Sequence, residues 1–432
     1  MEYTIPKGLF DILPYEQKEE DRWRTSDRWQ YVEQIIRATA DGYGFKEVRT
    51  PLFERTELFI RGVGESSDIV SKEMYTFLDK AERSMTLRPE GTASVMRAYV
   101  EKHLNHAPGL SKFYYIGPMF RYERPQAGRY RQHHQFGAEA IGIGKPAQDV
   151  ELIDLLCELY RRLGLKNLVV HLNSVGDEAS RAAYKDALMS FLKPHFESLS
   201  EDSKIRFSKN ILRILDSKDP NDKKLLEGAP LLIDYLSEEA RSHFLEVQAL
   251  LKMNGISYVI DPKLVRGLDY YNKTVFEVMS EGLGAHNTIG AGGRYDGLMK
   301  TFGGPDLPSV GFATGIERIL QTMENEKVTF PAPSHPDLFF IPIGEKGMEV
   351  CFQKALTLRH LGWKVEIDLS GKKIQHGLQL ASTIHATYSV VLGEEELAKE
   401  QIEVKEMLTR SSHQIAWSDL EAFLDKHIMR TK

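Results

Sequence analysis

Apolar positions recur at helical spacing over residues 23–41. The run stops near Gly42 and Gly44, where glycine accepts the left-handed backbone that ends a helix. The pattern then changes to alternation. Phe45-Lys-Glu-Val-Arg-Thr50 reads as a strand closed by Pro51, and further strands are predicted at Lys112–Ile116, Gln135–Ile141, Leu168–Leu172 and Lys273–Met279. Runs of strand with few helices between them imply an α+β unit on a largely antiparallel sheet. Residues from about 177 to 250 are rich in helix formers and Lys/Glu pairs, and read as a helical module inserted into that unit.

Prolines 331, 333 and 336 deny backbone donors and favour extended chain, so residues 326–336 read as a linker. The pattern beyond it alternates strand with helix. Strands are expected at Asp337–Ile343, Lys364–Leu369 and Tyr388–Leu392, and helices up to Leu361, around Ile374, Leu378 and Ala381, and from Trp417 to Ile428. That order predicts a small, mostly parallel α/β domain over residues 337–432, after a first domain covering residues 1–325.

Composition narrows the class without naming a chemistry. The chain has 432 residues, 42% hydrophobic and 27% charged, as in globular proteins of two or three domains. No stretch is long and apolar enough to span a bilayer, and residues 1–11 do not read as a secretory signal. Cys157 and Cys351 lie far apart without metal-site spacing, which fits a reducing, cytoplasmic setting. A formal net charge of −6 argues against whole-surface attraction to nucleic acid but permits a local basic face.

Chemistry concentrates in a few segments. Gly117 to Gln135 carries Arg121, Arg124, Arg129 and Arg131 around a turn marked by Pro125 and Gly128, with Tyr122 and Tyr130 interleaved. Arginine's planar fork suits phosphate oxygens, so this hairpin reads as a grip on a nucleotide or an RNA end rather than as a solvated charged hairpin. Thr86-Leu-Arg-Pro-Glu-Gly-Thr92 runs from strand into helix, and alone it reads as helix capping by Glu90. Leu264-Val-Arg-Gly-Leu-Asp-Tyr-Tyr271 admits two readings equally, a polar-ligand site or a glycine turn with packed tyrosines. Gly290-Ala-Gly-Gly-Arg-Tyr-Asp-Gly297 is neither a dinucleotide fingerprint nor a phosphate loop, and alone it reads as a turn between strands. Arg318, early in the helix after Gly315, would singly be a surface ion pair with Glu317 or a neighbour. HExxH, GxSxG and Cys/His clusters are missing from the sequence, and no serine or cysteine nucleophile stands out. Arginine, glutamate and glutamine favour catalysis by positioning and electrostatics.

Taken together and in order, these segments resemble histidyl-tRNA synthetases over nearly the whole chain. Phe45–Leu58, Phe120–Gln135 and Gly311–Arg318 are similar to class II motifs 1, 2 and 3, while Val265–Tyr271 and Gly290–Tyr295 resemble the two histidine-specific motifs. The resemblance implies a class II antiparallel-sheet catalytic domain, a C-terminal anticodon-binding domain and a homodimer formed through motif 1. It also implies ATP-dependent activation of histidine, with Mg²⁺ on the phosphates, and transfer of the histidyl group to tRNA(His). Residue by residue, it places Glu90, Gly91 and Thr92 at the substrate, the first and last on its α-amino group. Gln135 would lie along the substrate, with Glu139 and Tyr271 on the imidazole and Tyr270 close by. Arg121, Glu123, Arg129, His133 and Arg318 fall to ATP, and Arg124 and Gln126 to the tRNA acceptor end. Arg266 is implied to be catalytic together with Arg121, and no protein metal ligand is implied. His133 stands where the family has phenylalanine against adenine, which implies a weaker stack. The competing reading, a catalytically inactive regulatory paralogue, lacks the last domain and the intact Arg266–Tyr271 motif.

Overall fold

The computed structural model describes residues 3–64, 67–106, 111–123, 129–209, 211–217, 219–264, 268, 270–280 and 288–428. The chain divides by internal contacts into two units, Met1–Phe330 and Pro331–Lys432.

The first unit begins with α1 (Ser26–Gly42), β1 (Lys46–Glu47), β2 (Phe53–Arg55), α2 (Thr56–Val63), β3 (Thr76–Leu78), β4 (Ser84–Leu87) and α3 (Thr92–Glu101). Then come β5 (Ser111–Phe120), β6 (Gln132–Ile141), α4 (Pro146–Arg162) and β7 (Leu168–Ser174). The inserted module holds α5 (Glu178–Leu192), α6 (Glu201–Lys209), α7 (Pro220–Leu225) and α8 (Glu238–Met253). The unit closes with β8 (Tyr258–Ile260), β9 (Asn272–Ser280), β10 (Thr288–Arg294), α9 (Leu298–Thr301), β11 (Ser309–Gly315) and α10 (Ile316–Asn325). Eight strands form one sheet in the order β1-β5-β6-β11-β10-β9-β7-β8, antiparallel except for the edge pairs β1/β5 and β7/β8. A small antiparallel sheet, β2-β4-β3, stands apart.

The α+β class and antiparallel sheet follow the sequence pattern, with local corrections. The long helix starts at Ser26 because Trp23 lies in a preceding 3₁₀ turn, Glu19–Arg24, that prolongs the apolar pattern. The strand expected over Phe45–Thr50 contracts to two residues, an edge strand pairing Lys46 and Glu47 with Phe113 and Tyr114. The hairpin tip expected at Pro125 and Gly128 lies outside the described residues, but its arms β5 and β6 pair from Ser111↔Ile141 to Phe120↔Gln132.

The second unit comprises β12 (Leu338–Pro342), α11 (Gly344–His360), β13 (Val365–Ile367), α12 (Ile374–Thr383), β14 (Tyr388–Leu392), α13 (Glu394–Lys399), β15 (Gln401–Glu406), β16 (Ser412–Ala416) and α14 (Leu420–His427). Its sheet, β13-β12-β14-β15-β16, has three parallel strands, but an antiparallel hairpin, β15–β16, extends it. The expectation of a mostly parallel domain missed that hairpin, although Ile402 and Val404 are buried between exposed Gln401 and Glu403 in strict alternation.

Helices α1, α4 and α10 cover one face of the large sheet, burying Val32, Ile36, Leu152, Leu156, Tyr160, Ile319 and Leu320. Within this packing sits a fully buried ion pair. Arg294 Nη2 lies 2.5 Å from Asp149 Oδ2, and its Nη1 reaches Asp296 Oδ1 at 3.2 Å and the Ile143 carbonyl at 3.1 Å. His243 on α8 approaches the same carboxylate at 3.4 Å, so the charge ties sheet, α4 and module together. Burial by itself pushes the Asp149 carboxyl up, but the His243 ring and the Arg294 guanidinium outweigh it and hold the carboxyl below its ordinary range. Such a depressed value contributes stability above the unfolded carboxylate value of about 4 and loses it as pH falls through the folded value. Asp149→Asn is therefore expected to cost ~3–5 kcal/mol in urea unfolding at neutral pH, by stranding a buried cation. The deficit should shrink towards pH 3; one that stays constant with pH would contradict the ion-pair account.

Candidate active site

The alternation of β6 sorts its side chains onto two faces. His134 and Phe136 turn to the helical face, where His134 meets the Trp29 ring at 4.9 Å and Phe136 meets Phe312 at 5.4 Å. Glu317, at the start of α10, is buried and accepts hydrogen bonds from His134 N–H at 2.8 Å and pairs with its Nδ1 at 3.0 Å. Glu317 is therefore held by β6 and makes no surface ion pair with Arg318. His133, Gln135 and Glu139 take the opposite face.

Two glycines make room for Glu139 and its neighbours. Gly311 lies directly across β11 from Glu139, where a Cβ would overlap the carboxylate. Gly137 faces Tyr115 across β5, where a Cβ would strike the Tyr115 ring. The same ring fills the space over Gly91, so Gly91 is required by packing. The buried Glu139 carboxylate accepts a hydrogen bond from Thr92 Oγ1 at 2.7 Å and another from the Tyr295 hydroxyl. Burial pushes its carboxyl up to about 8, a rise that the two donors oppose and the nearby Glu90 reinforces. Glu90 itself caps α3, accepting from the backbone N–H of Thr92 at 2.7 Å and of Ala93 at 2.9 Å, and burial raises its carboxyl too. The capping read from the sequence is thus present, and it sets Glu90 beside Glu139. Tyr270, Tyr271 and Tyr295 close the pocket as a cluster, with ring centroids 4.7 Å apart for the first two and 5.5 Å for Tyr270 and Tyr295.

Along the same face, the pocket's neighbour is a cleft of about 1020 Å³ lined by Arg121, Arg129, His133, Gln135, Glu277 and Arg318. Arg121 Nε donates to the Pro89 carbonyl at 2.9 Å, Arg318 Nη1 to the Thr288 carbonyl at 2.6 Å, and Arg129 pairs with Glu123 at 3.5 Å. Burial and the charge of Arg129 both disfavour the Arg318 cation. Burial and the charges of Arg121 and Arg318 push His133 down to about 3, so its ring is neutral near pH 7. A crowded set of guanidiniums that depresses its neighbours' protonation attracts a polyanion. The module contributes Ser200, Arg206 and Arg213 to the same cleft.

The structure therefore brings Glu90, Gly91, Thr92, Glu139, Tyr270 and Tyr271 together at the pocket, and Arg121, Glu123, Arg129, His133, Gln135 and Arg318 at the cleft. Arg266, Arg124 and Gln126 lie outside the described residues. Sequence reasoning missed Tyr295, although it stands in the quoted glycine-rich segment, and Tyr115, which carried no local signal. It also missed the module's arginines, because a basic residue in a Lys/Glu-rich helical stretch looks like any solvated charge. The adjoining Arg294 of the glycine-rich segment is wholly buried and structural.

A family model described as Histidyl-tRNA synthetase matches residues 11–319, and one described as Anticodon binding domain matches residues 337–427. The histidine–tRNA ligase of Protochlamydia amoebophila is 54% identical over 420 residues, covering 97% of this chain and 99% of the relative. That of Bacillus subtilis is 47% identical, covering 100% of this chain and 99% of the relative. The crystal structure of apo Staphylococcus aureus histidyl-tRNA synthetase superimposes with a TM-score of 0.83 at 36% identity, covering 98% of this chain and all of that one. With both domains matched in order and relatives aligned end to end, the chain belongs to the histidyl-tRNA synthetase family.

Proposed function

We propose that the buried pocket around Glu139 holds histidine and that the arginine-lined cleft holds ATP, the two substrates of a histidine–tRNA ligase. The chain activates L-histidine with ATP and transfers the histidyl group to the 3′ end of tRNA(His). The observation that carries the site assignment is the Glu139 carboxylate, buried and held by Thr92 and Tyr295, next to a cleft rich in guanidiniums. Such a carboxylate fits an imidazole N–H donor, and an amino acid whose side chain lacks one would displace water from a buried charge without supplying that third donor, which costs more than a poor fit.

In this reading Glu90 and the Thr92 hydroxyl receive the α-amino group, Gln135 lies along the substrate, and Tyr271 meets the imidazole beside Tyr270. Arg121 faces the α-phosphate, Arg129 and Arg318 face the outer phosphates, and neutral His133 stacks on adenine. The histidine carboxylate oxygen attacks the α-phosphorus in line, a P–O bond forms, and pyrophosphate leaves with the electrons of the broken P–O bond. Arg266 balances the charge growing on the α-phosphate. A terminal ribose hydroxyl of tRNA then attacks the histidyl carbonyl and AMP departs. Mg²⁺, when bound with ATP, would neutralise phosphate charge, and Glu123 and Glu277, which both line the cleft, would be oxygen donors of the kind a hard cation takes. Arg124 and Gln126 fall to the acceptor end of tRNA, and residues 337–427 to the anticodon.

The chain is also proposed to act as a homodimer. Leu52 before the small sheet and Phe53, Phe77 and Leu78 on it are exposed, and the Phe53 and Phe77 rings meet at 5.9 Å, an apolar patch that joins the end of the motif 1 segment to β3. A cytoplasmic setting fits Cys157 and Cys351, both free thiols pushed up to about 12 by burial.

Pyrophosphate exchange into ATP, run with each standard amino acid, should proceed with histidine alone. Arg266→Ala should abolish most of it while calorimetric histidine binding persists; equal loss of both in folded protein contradicts the role. A carboxylate that accepts an imidazole N–H must be charged, and Glu139 ionises only as pH rises through about 8. Hence kcat/KM for histidine should climb between pH 7 and 9, and Glu139→Gln should flatten that limb at a level lower by about a hundredfold, the size of a lost charged hydrogen bond. A profile unchanged by Glu139→Gln would refute the assignment. Sedimentation should give a dimer mass at micromolar concentration for the wild type and a monomer for Phe77→Glu with Leu78→Glu. A monomeric wild type would overturn the dimer.

A further inference from the structure

The histidine pocket is aimed by a residue outside it. Tyr271 precedes β9 directly, and its carbonyl accepts a hydrogen bond from Arg181 Nη1 at 3.0 Å. Arg181 stands on α5, the first helix of the inserted module, one turn beyond the Asp177 cap that holds Ser180 N–H at 2.9 Å. Close by, the buried Asn173 at the end of β7 donates from Nδ2 to the Leu264 carbonyl at 2.9 Å and the Pro262 carbonyl at 3.3 Å. The nine residues from Asn173 to Arg181 therefore hold the backbone on both sides of the segment that carries Arg266, at Leu264 and at Tyr271.

The backbone beyond Tyr271 is unusual. Lys273 has a φ of +47°, the left-handed region that costs a non-glycine residue energy, although it sits within a strand. Its N–H donates to the Gly176 carbonyl at 2.8 Å, and its own carbonyl accepts from Val175 N–H at 2.8 Å. The register with β10 shifts at the same place, between Gly293 and Arg294. A shift of this kind re-aims the side chain beside it, here Tyr271. Asn272 locks the displaced backbone, donating from Nδ2 to the Asp296 carbonyl at 2.7 Å and accepting from Asp296 N–H at 3.3 Å. A cavity of about 330 Å³, lined by Arg181, Tyr270, Asn272 and Asp296, lies on this side. Packing is therefore incomplete beside Tyr270, and backbone hydrogen bonds add to ring packing in setting the orientation of Tyr271.

We propose that Arg181 is a positioning residue for histidine recognition, fixing the Tyr271 carbonyl and with it the direction of the Tyr271 hydroxyl. The inserted module thereby takes part in amino-acid selection as well as lining the ATP cleft. This rests on the assignment of Tyr271 to the imidazole, and the contact to a backbone carbonyl lets an arginine outside the pocket act on it. Nothing in the adenylation chemistry passes through Arg181, so its loss should weaken histidine recognition and leave nucleotide binding intact.

Pyrophosphate exchange separates the possibilities. Wild-type exchange with histidine establishes the underlying reading first, and without it that reading fails rather than this one. Arg181→Met is then expected to raise the histidine KM roughly tenfold, the reach of a lost charge-assisted hydrogen bond, with the ATP KM within about twofold. Arg181→Lys, which keeps a cationic donor, should recover most of the difference. A wild-type histidine KM in Arg181→Met, equal rises for both substrates, or no recovery by lysine would each overturn the proposal. Should Arg181→Met fail to fold, Lys273 decides. Valine resists a positive φ and glycine does not, so Lys273→Val should raise the histidine KM several-fold above that of Lys273→Gly. Equal values would count against the aimed backbone.

Discussion

The two-residue pleat of β6 is the constraint from which the site follows. Because successive side chains must point to opposite faces, His133, Gln135 and Glu139 share one side while His134, Phe136 and Ala138 share the other. The second set is fastened to α1 and α10 through Trp29 and Glu317, which fixes the register of the strand and with it the aim of the first. A slip of one residue would exchange the buried carboxylate for Ala138 and place Phe136 in the cleft. The glycines opposite, Gly137 and Gly311, are the complement of this pleat, since they leave space where the Tyr115 ring and the Glu139 carboxylate must sit.

Burial then gives these groups their chemistry. Glu139 in water would be an ordinary acid, and the sheet removes solvent from it and supplies only two hydroxyl donors, which is why its carboxyl rises to about 8. The same desolvation acts on His133 in the opposite sense and leaves a neutral ring. The arginines around it act in the same direction as burial. By suppressing the charged form they keep the imidazole an uncharged aromatic surface. Charge is treated differently where the task is structural. Asp149 and Arg294 are just as buried, but each is matched, so both stay ionised and bind α4, β10 and the module into one body.

The legible part of the structure was the part with local causes. Period-two alternation and the breaks at glycine and proline marked β5, β6, β7, β9, β12 and β14 to within a few residues. Glycine–strand–helix order placed Arg318 in the first turn of α10. The β15–β16 hairpin also alternates and was open to the same reading. The helix start at Ser26 was not, because Trp23 in the 3₁₀ turn keeps the helical spacing of apolar residues without the α-helical hydrogen bonds. Segment by segment, the plain alternatives fared unevenly. Glu90 does cap a helix, but residues 290–294 lie in strand β10 instead of a turn, and Glu317 turns to His134 instead of Arg318. Apart from the arginine-rich hairpin, single segments were compatible with ordinary packing, and the combined order of motifs favoured the family.

The sequence by itself determined the alternation that separates two faces and the proline-rich stretch where the two units part, because each depends on residues within a few positions of one another. Tertiary structure decided the rest. It brought Glu90, Thr92, Glu139 and Tyr295 into one buried pocket from segments up to 205 positions apart. It turned Glu317 inward, set Arg181 under Tyr271, and made the module's arginines a wall of the cleft. These are consequences of strand order and burial, and the strength of a charge or hydrogen bond depends on how much water the whole fold removes from it, which no local pattern encodes.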